Sequence, residues 1–165
     1  MNYNIYGLTT QRNRQILDLF IDHYCNRSDV EDRKDEELMI LKKTLPETCD
    51  KDSETHYWKK SDNLTNHFNI GLEPKNHCFA LYIDAIKPDI NQVIIKFTSD
   101  GKLILGLCVD AGENGDKPLA EAIKTLNELK RNYGINADLI LIETPPPDNE
   151  VQFYQEFIDS DLRIE

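Results

Sequence analysis

The sequence lacks several features that assign a function directly. No apolar stretch in its 165 residues reaches the length of about 18 that a transmembrane helix needs. Residues 1–14 lack the basic and apolar regions of a signal peptide. The chain also contains no G-x-S-x-G or H-E-x-x-H motif. These absences predict a cytoplasmic protein without a motif-encoded catalytic centre.

Closely spaced cysteines are also absent. His56, His67 and His77 recur ten or eleven residues apart, which is too wide for the short ligand pairs of a zinc site. We therefore expect buried free thiols in a reducing compartment. The widely separated cysteines are Cys25, Cys49, Cys78 and Cys108.

Basic residues are few relative to acidic ones. The chain has 30 acidic and 19 basic residues, a net charge of −11. Such an excess repels nucleic acid and anionic membranes, and it speeds the encounter with a basic protein. The chain is 39% apolar, and its long apolar runs indicate one globular domain over residues 1–165.

Apolar spacing in the first half of the chain predicts alternating strands and helices. The first expected elements are a strand at Asn2–Leu8 and a helix capped by Thr9 or Thr10 and ending near Cys25. A loop or a short exposed turn should follow at Asn26–Glu37, where there is no apolar face. Strands at Glu37–Lys43 and Thr55–Lys60 should then pair as a hairpin across a polar connection at residues 44–54, and a short helix capped by Ser61 should end near Gly71.

The second half contains the clearest signals. Asp100-Gly101 is a favoured two-residue turn and predicts a hairpin in which Phe97 pairs with Ile104. The remaining expected elements are a strand at His77–Ile86 that is apolar on both faces, a helix at Asp116–Gly134, a strand at Ala137–Glu143, and a final helix with Val151, Tyr154 (or Phe153), Phe157 and Ile158 pointing inward.

Together these elements predict an α+β fold. It has a mixed, largely antiparallel sheet with helices packed mainly on one face. The strand Lys102–Val109 is apolar throughout and should be central. With the following helix and strand it predicts a C-terminal βαβ unit, whose two strands run parallel with a right-handed crossover.

The loop "VDAGENGDKPLAEA", residues 109–122, resembles a site most closely. Counted from Asp110, its glycine at position 6 and Glu121 at position 12 match a calcium-binding EF-hand. Gly112 and Pro118 occupy two positions where that loop needs ligands, and a strand precedes it rather than a helix. A phosphate would be repelled by the carboxylates. Three interpretations remain: a looser cation site, a strand-to-helix turn capped by Asp116, and a binding surface.

A second acidic segment runs from Asp29 to Glu37, with six acids and two bases. Dense acidic loops steer a basic partner and fix its register. The candidate partner-binding residues in the two segments are Asp29, Glu31, Asp32, Asp35, Glu36, Asp110, Glu113 and Asp116.

The stretches "SDVEDRKDEELMIL", "FTSDGKLILGLCVDAGE" and "LIETPPPDNEVQF" resemble the immunity proteins of bacterial toxin systems. This resemblance implies a non-enzymatic, cofactor-free inhibitor that binds a basic effector or toxin by charge complementarity. The alternative is a metal-dependent hydrolase, or a cation-binding protein, centred on the Asp110–Asp116 loop.

Overall fold

A computed structural model describes residues 1–43 and 54–160 of the chain. The described strands form a five-stranded sheet and a separate two-stranded sheet. The elements in chain order are β1 (Asn2–Thr9), α1 (Arg14–Tyr24), α2 (Arg27–Val30), β2 (Asp32–Lys43), β3 (Glu54–Asn63), α3 (Leu64–Gly71), β4 (Phe79–Asp84), β5 (Ile90–Phe97), β6 (Leu103–Asp110), α4 (Leu119–Asn132), β7 (Ala137–Ile142) and α5 (Glu150–Asp159).

The large sheet has the order β4-β5-β6-β1-β7, and each neighbouring pair is antiparallel. The α+β class and the central position of β6 are confirmed. β6 and β7 run in the same direction, as their connection through α4 predicts. However, β1 lies between them and pairs with both. The N-terminal strand thus lies between the two strands of the predicted C-terminal βαβ unit. No pattern within residues 102–142 indicates this long-range pairing.

The two faces of this sheet carry separate apolar cores. The larger core packs α1, α3 and α4 against one face, together with the inward side chains of β2. On the opposite face, Phe153 of α5 packs against a smaller core that includes Tyr6 and Leu139. The helices thus lie mainly on one face, as predicted.

α5 turns toward the sheet the side that carries Phe153, the predicted alternative to Tyr154, and not the other predicted positions. Phe153 is the buried residue of this helix. The segment before the helix helps to fix the orientation, because Asp148 Oδ1 accepts a hydrogen bond from Lys96 Nζ at 2.7 Å. The other positions predicted to point inward are exposed: Val151, Tyr154, Phe157 and Ile158.

The predicted hairpin of β5 and β6 is present, but its register differs by one residue. Phe97 lies opposite Leu103 rather than Ile104. The connection is a three-residue loop, Ser99–Gly101, in which Gly101 has a left-handed φ of 82°. A left-handed glycine at the end of such a loop is typical of three-residue hairpins. Because a one-residue shift exchanges the faces of a strand, Leu103 joins the larger core and Ile104 the smaller one.

Two helices begin at different caps from those predicted, which were Thr9 or Thr10 for α1 and Ser61 for α3. In α1 the side chain of Asn13 accepts the Ile16 N–H at 3.0 Å. In α3 the side chain of Asn63 accepts the Asn66 N–H at 2.8 Å. Asparagine is as good a cap as serine or threonine, and the chain path decides which candidate lies at the helix start.

The prediction of a loop or a short exposed turn at Asn26–Glu37 is wrong. α2 ends at Val30 and β2 already begins at Asp32. Antiparallel pairing with β3 extends the strand, with Glu37 opposite Lys60. This pairing satisfies the backbone of a segment whose composition does not favour a strand. The hairpin of β2 and β3 is confirmed. Residues 44–53 of the predicted connection, with Cys49, lie outside the described residues.

β4 is an edge strand and is shorter than predicted. Its burial alternates: Leu81 and Ile83 face the larger core, whereas Tyr82 and Asp84 are exposed. The prediction of two apolar faces is therefore wrong, because α5 packs beside β7 at the far edge of the sheet and leaves the outer face of β4 open.

The cysteines within the described ranges, Cys25, Cys78 and Cys108, are buried, as predicted. In the same ranges, no helix is long and apolar enough to cross a membrane.

Arg12, a half-buried cation, closes the end of the sheet where β1 finishes. The guanidinium of Arg12 donates to the carbonyl oxygens of Thr98 at 2.7 Å and Lys102 at 3.0 Å. It also donates to the carbonyls of Gly71, at 2.8 and 3.1 Å, and of His77, at 3.1 Å. Arg12 thereby joins the β5–β6 hairpin to the segment that follows α3.

Candidate functional site

The predicted loop lies at the carboxyl end of β6, at the opposite end of the sheet from Arg12. Its backbone is anchored at both ends: Ala111 N–H donates to the Met1 carbonyl and Lys117 N–H to the Ala111 carbonyl, both at 3.0 Å. Asp110 N–H donates to the Asp89 carbonyl at 2.9 Å. These bonds join the loop to the start of β1 and to the connection between β4 and β5.

Lys117 binds two carboxylates of this loop region. Its Nζ lies 2.6 Å from Asp110 Oδ2 and 2.9 Å from Asp89 Oδ1. Asp110 Oδ1 also accepts the Gly112 N–H at 2.9 Å. The hydrogen bond from Lys117, and then that from Gly112, hold the pKa of Asp110 below its usual range. Its own hydrogen bonds to Asp110 and Asp89 raise the pKa of Lys117, so the Lys117 ammonium and the Asp110 carboxylate stay charged near neutral pH.

This arrangement bears directly on the cation-site interpretation. That interpretation depended on uncompensated repulsion among Asp110, Glu113 and Asp116. The ammonium of Lys117 already neutralises Asp110, and Glu113 and Asp116 are exposed. Within residues 1–43 and 54–160, no three His, Cys, Asp or Glu side chains are placed to hold a metal ion.

The turn itself is built by glycines, as the sequence predicts. Gly112 and Gly115 have left-handed φ angles of 81° and 69°, which favour glycine. The prediction that Asp116 caps α4 is wrong: Pro118 occupies the cap position, with no side-chain cap. Proline presets the backbone angle at the helix start, which leaves Asp116 outside the helix.

The acidic residues of the second predicted segment have different environments in the structure. Glu31 is held internally, since its Oε1 accepts the Thr65 N–H at 3.1 Å and its Oε2 lies 3.7 Å from Arg27 Nε. Asp29 and Asp32 are exposed. The remaining two candidates, Asp35 and Glu36, belong to β2 by their backbone, and their side chains lie outside the described part of the structure.

The connection between β4 and β5 joins the end of α1 to the β6 loop, but it does not bring the two acidic segments together. Ile86 N–H donates to the Tyr24 carbonyl at the end of α1, at 2.9 Å, and Asp89 accepts from Asp110. α1 and β6 thus finish at the same end of the sheet. After α1 the chain turns back, because Arg27 Nη1 binds Asp18 at 2.7 Å. Asp29 and Asp32 therefore follow a segment that returns along α1, and they do not lie in the β6 loop region.

Between the end of α1 and the start of α4 lies a cleft of about 380 Å³, here called the α1–α4 cleft. Tyr3, Ile90 and Val109 of the sheet contribute apolar wall. α4 contributes the polar rim, because residues three or four positions apart share one face of a helix. These rim residues are Glu121, Lys124, Thr125 and Glu128.

Tyr24 lines this cleft and has an unusual environment. Its side chain is 2% exposed, and its hydroxyl oxygen has no hydrogen-bond partner among the described residues. Burial, and then the proximity of Tyr133 and Glu128, raise the pKa of the phenol, so the hydroxyl stays protonated. A buried polar atom without a partner is costly and uncommon.

Sequence reasoning located the loop but missed its partners. Lys117 follows Asp116 directly and was available as a signal, since a cation beside three carboxylates is expected to pair with one of them. Asp89 lies 28 residues from Lys117, and a sequence pattern does not indicate such a contact. Helical spacing alone puts Tyr24 on the buried face of α1, together with Leu17 and Phe20, but nothing in the pattern indicates that it lines a cleft.

No protein-family model, no curated protein and no solved structure matches this chain.

Proposed function

We propose that this chain is a non-enzymatic, acidic binding protein of the cytoplasm, an immunity-like inhibitor that binds a basic effector protein. The observation that supports this most is the state of the β6 loop. Lys117 pairs with Asp110 and Asp89, while Glu113 and Asp116 stay exposed. The loop thus presents negative charge that the protein itself does not use.

The fixed backbone of the loop strengthens this argument. Hydrogen bonds to Met1 and Asp89, together with the turn at Gly112, hold the loop in one conformation. A binding loop that is already ordered loses little conformational entropy when a partner docks. Exposed carboxylates on such a loop accelerate association with a basic surface and disfavour acidic partners.

The charge of the surrounding loops agrees with a basic partner. Carboxylates outnumber cations in the strand ends and connections at this end of the sheet. The carboxylates are Asp84, Asp89, Asp110, Glu113, Asp116 and Glu143. The cations are Lys87, Lys117 and the amino group of Met1, which lies 3.6 Å from Glu143.

The proposal is tested with the product of the neighbouring reading frame, where an effector toxin is expected. Co-expression of this chain should restore growth, and the two purified proteins should form a complex that weakens as salt is raised. The double variant Glu113→Lys, Asp116→Lys should slow association by about tenfold or more at low salt.

A matched control makes the same charge change elsewhere. Asp62→Lys with Asp159→Lys alters two exposed carboxylates outside the β6 loop and should leave association within about twofold of the wild type. Equal slowing by both double variants would show a general charge effect and would contradict the proposed site. No complex at low salt would contradict the function.

The alternative of a cation-dependent hydrolase is less favoured, because Lys117 already lies between Asp110 and Asp89. We expect calorimetry with Mg²⁺, Mn²⁺ or Ca²⁺ to give no saturable heat. Saturable heat that disappears in Asp110→Asn would instead favour this alternative.

A further inference from the structure

We infer that the α1–α4 cleft receives a single lysine or arginine side chain of the partner. This inference deepens the proposed function and rests on it for the source of the side chain. It depends on three properties of the cleft: its walls, its charge and the unpartnered hydroxyl of Tyr24.

The walls suit a long side chain with an apolar stem. A volume of about 380 Å³ lies near the lower limit for small-molecule sites. Tyr3, Ile90 and Val109 offer apolar surface for methylene groups, as lysine and arginine stems prefer. Aromatic rings in the wall also attract a cation over their faces.

The charges that line the cleft favour one positive guest. Lys117 is committed to Asp89 and Asp110. Counting all lining groups with His23 neutral, four carboxylates face three lysines, which leaves one negative charge in excess. One ammonium or guanidinium group balances it, whereas an anionic guest increases the imbalance. The carboxylates are Asp89, Asp110, Glu121 and Glu128, and the lysines are Lys87, Lys117 and Lys124.

The hydroxyl of Tyr24 is the second, independent observation. Its oxygen is buried in the wall of the cleft and accepts no hydrogen bond from the described residues. A lysine or arginine head group carries only donors, so it supplies the kind of partner that this oxygen lacks. Glu128 lines the same cleft and provides a carboxylate for the same guest.

The test uses a side-chain probe and the full chain, without a partner protein. n-Butylguanidinium is titrated into the ¹⁵N-labelled protein, with n-butanol as the neutral control and butyrate as the anionic control. We expect saturable amide shifts at Tyr24, Val109 and Thr125 with the guanidinium alone. Shifts that do not saturate, or that n-butanol reproduces, would overturn the inference.

Two variants assign the binding to named groups. Tyr24→Phe should weaken probe binding about fivefold, and Glu128→Gln about tenfold, in line with the loss of a hydrogen bond and of a charge-assisted contact. Glu156→Gln on α5 is the matched control and should bind like the wild type. Unchanged affinity in both cleft variants would contradict the inference.

The two proposals fail separately. If the probe binds the cleft while reversal of Glu113 and Asp116 leaves partner association unchanged, the loop-based function is wrong and the cleft remains a cation site. If loop reversal slows association but the probe does not bind, the function stands and the cleft inference is overturned. Tyr24→Phe removes an unpartnered hydroxyl and should still fold. Glu128→Gln changes a half-buried rim residue and gives a second route.

Discussion

Two strand-to-helix connections leave opposite ends of the same sheet, because β1 and β6 are antiparallel neighbours. The first runs from β1 to α1 and ends in Arg12-Asn13, and the second runs from β6 to α4 and includes Asp116-Lys117. Each therefore places a cation beside a polar residue that could cap the next helix. Their side chains nevertheless act in different ways.

Within the described part of the chain, the Arg12 side chain donates to backbone carbonyls of the β5–β6 hairpin, of the last residue of α3 and of the segment that follows α3. Its guanidinium also lies 5.2 Å from the centre of the Phe97 ring. Lys117 binds two carboxylates, and its side chain is 42% exposed. The planar guanidinium of arginine suits several fixed acceptors, whereas lysine acts as a compact point charge. The first connection thus holds elements together, and the second arranges charge at the surface.

Arg12→Met should have the largest effect on stability. The substitution removes the Arg12 donors from four carbonyls in a partly buried site. Thr98 and Lys102 keep a backbone donor each, whereas the carbonyls of Gly71 and His77 lose the donors that Arg12 supplies. Unsatisfied buried groups of this kind give an expected loss on the order of 3 kcal/mol in the free energy of unfolding. Urea denaturation measures it. A loss below about 1 kcal/mol would show that Arg12 does not hold this end together.

Gly71→Ala should have the next largest effect, at the same end. A Cβ on Gly71 would lie 2.4 Å from ring atoms of Phe97, which is fully buried. Overpacking of this kind costs about 1–3 kcal/mol. Gly115→Ala in the β6 loop is the control. Its Cβ would lie 3.0 Å from the Met1 side chain, which is flexible and can move away. The remaining cost is that of an alanine in a left-handed backbone conformation, about 1 kcal/mol. Equal losses in the free energy of unfolding for Gly71→Ala and Gly115→Ala would mean that the two ends of the sheet tolerate an added Cβ equally well.

Asn13 and Asp116 give a smaller and more selective comparison. Asn13 caps α1 through the Ile16 N–H, and Asn13→Ala should cost about 1 kcal/mol in thermal unfolding. Asp116→Ala should cost less than about 0.5 kcal/mol, because α4 has no side-chain cap. A larger loss of stability for Asp116→Ala than for Asn13→Ala would indicate that Asp116 caps α4, as the sequence predicts.

The sequence predicts what local spacing decides. The buried stripe of α1, including Leu17 and Phe20, follows from helical periodicity and is confirmed. The length of the β5–β6 loop lies beyond such reasoning, because Asp100-Gly101 fits a two-residue and a three-residue loop alike, each with a left-handed Gly101. One residue of difference then moves Ile104 to the other face of the sheet.

The candidate site, like the fold, is only partly predictable from the sequence. Its loop was found because Asp110, Glu113 and Asp116 are close in sequence. The partner of Lys117 at Asp89, and the cleft beside Tyr24, depend on how β5 and α1 approach β6. Those approaches are set by sheet pairing and core packing over long sequence separations, which one sequence without relatives does not indicate.

Lys117→Met should have the smallest effect on stability and a distinctive dependence on pH. Hydrogen bonds from Lys117 and Gly112 lower the pKa of folded Asp110. Their contribution is therefore present above the unfolded carboxylate pKa of about 3.9, and it is lost as the pH falls through the folded value. The raised pKa of Lys117 gives a contribution present below its unfolded value of about 10.4, and this is lost at higher pH.

The wild type should exceed Lys117→Met in melting temperature between these limits, and the difference should shrink at pH 3 and in 1 M salt. An unchanged difference at pH 3 would mean that the lysine stem contributes by packing. Lys117 would then stabilise the fold by contacts, as Arg12 does, and would not differ from Arg12 in acting through surface charge.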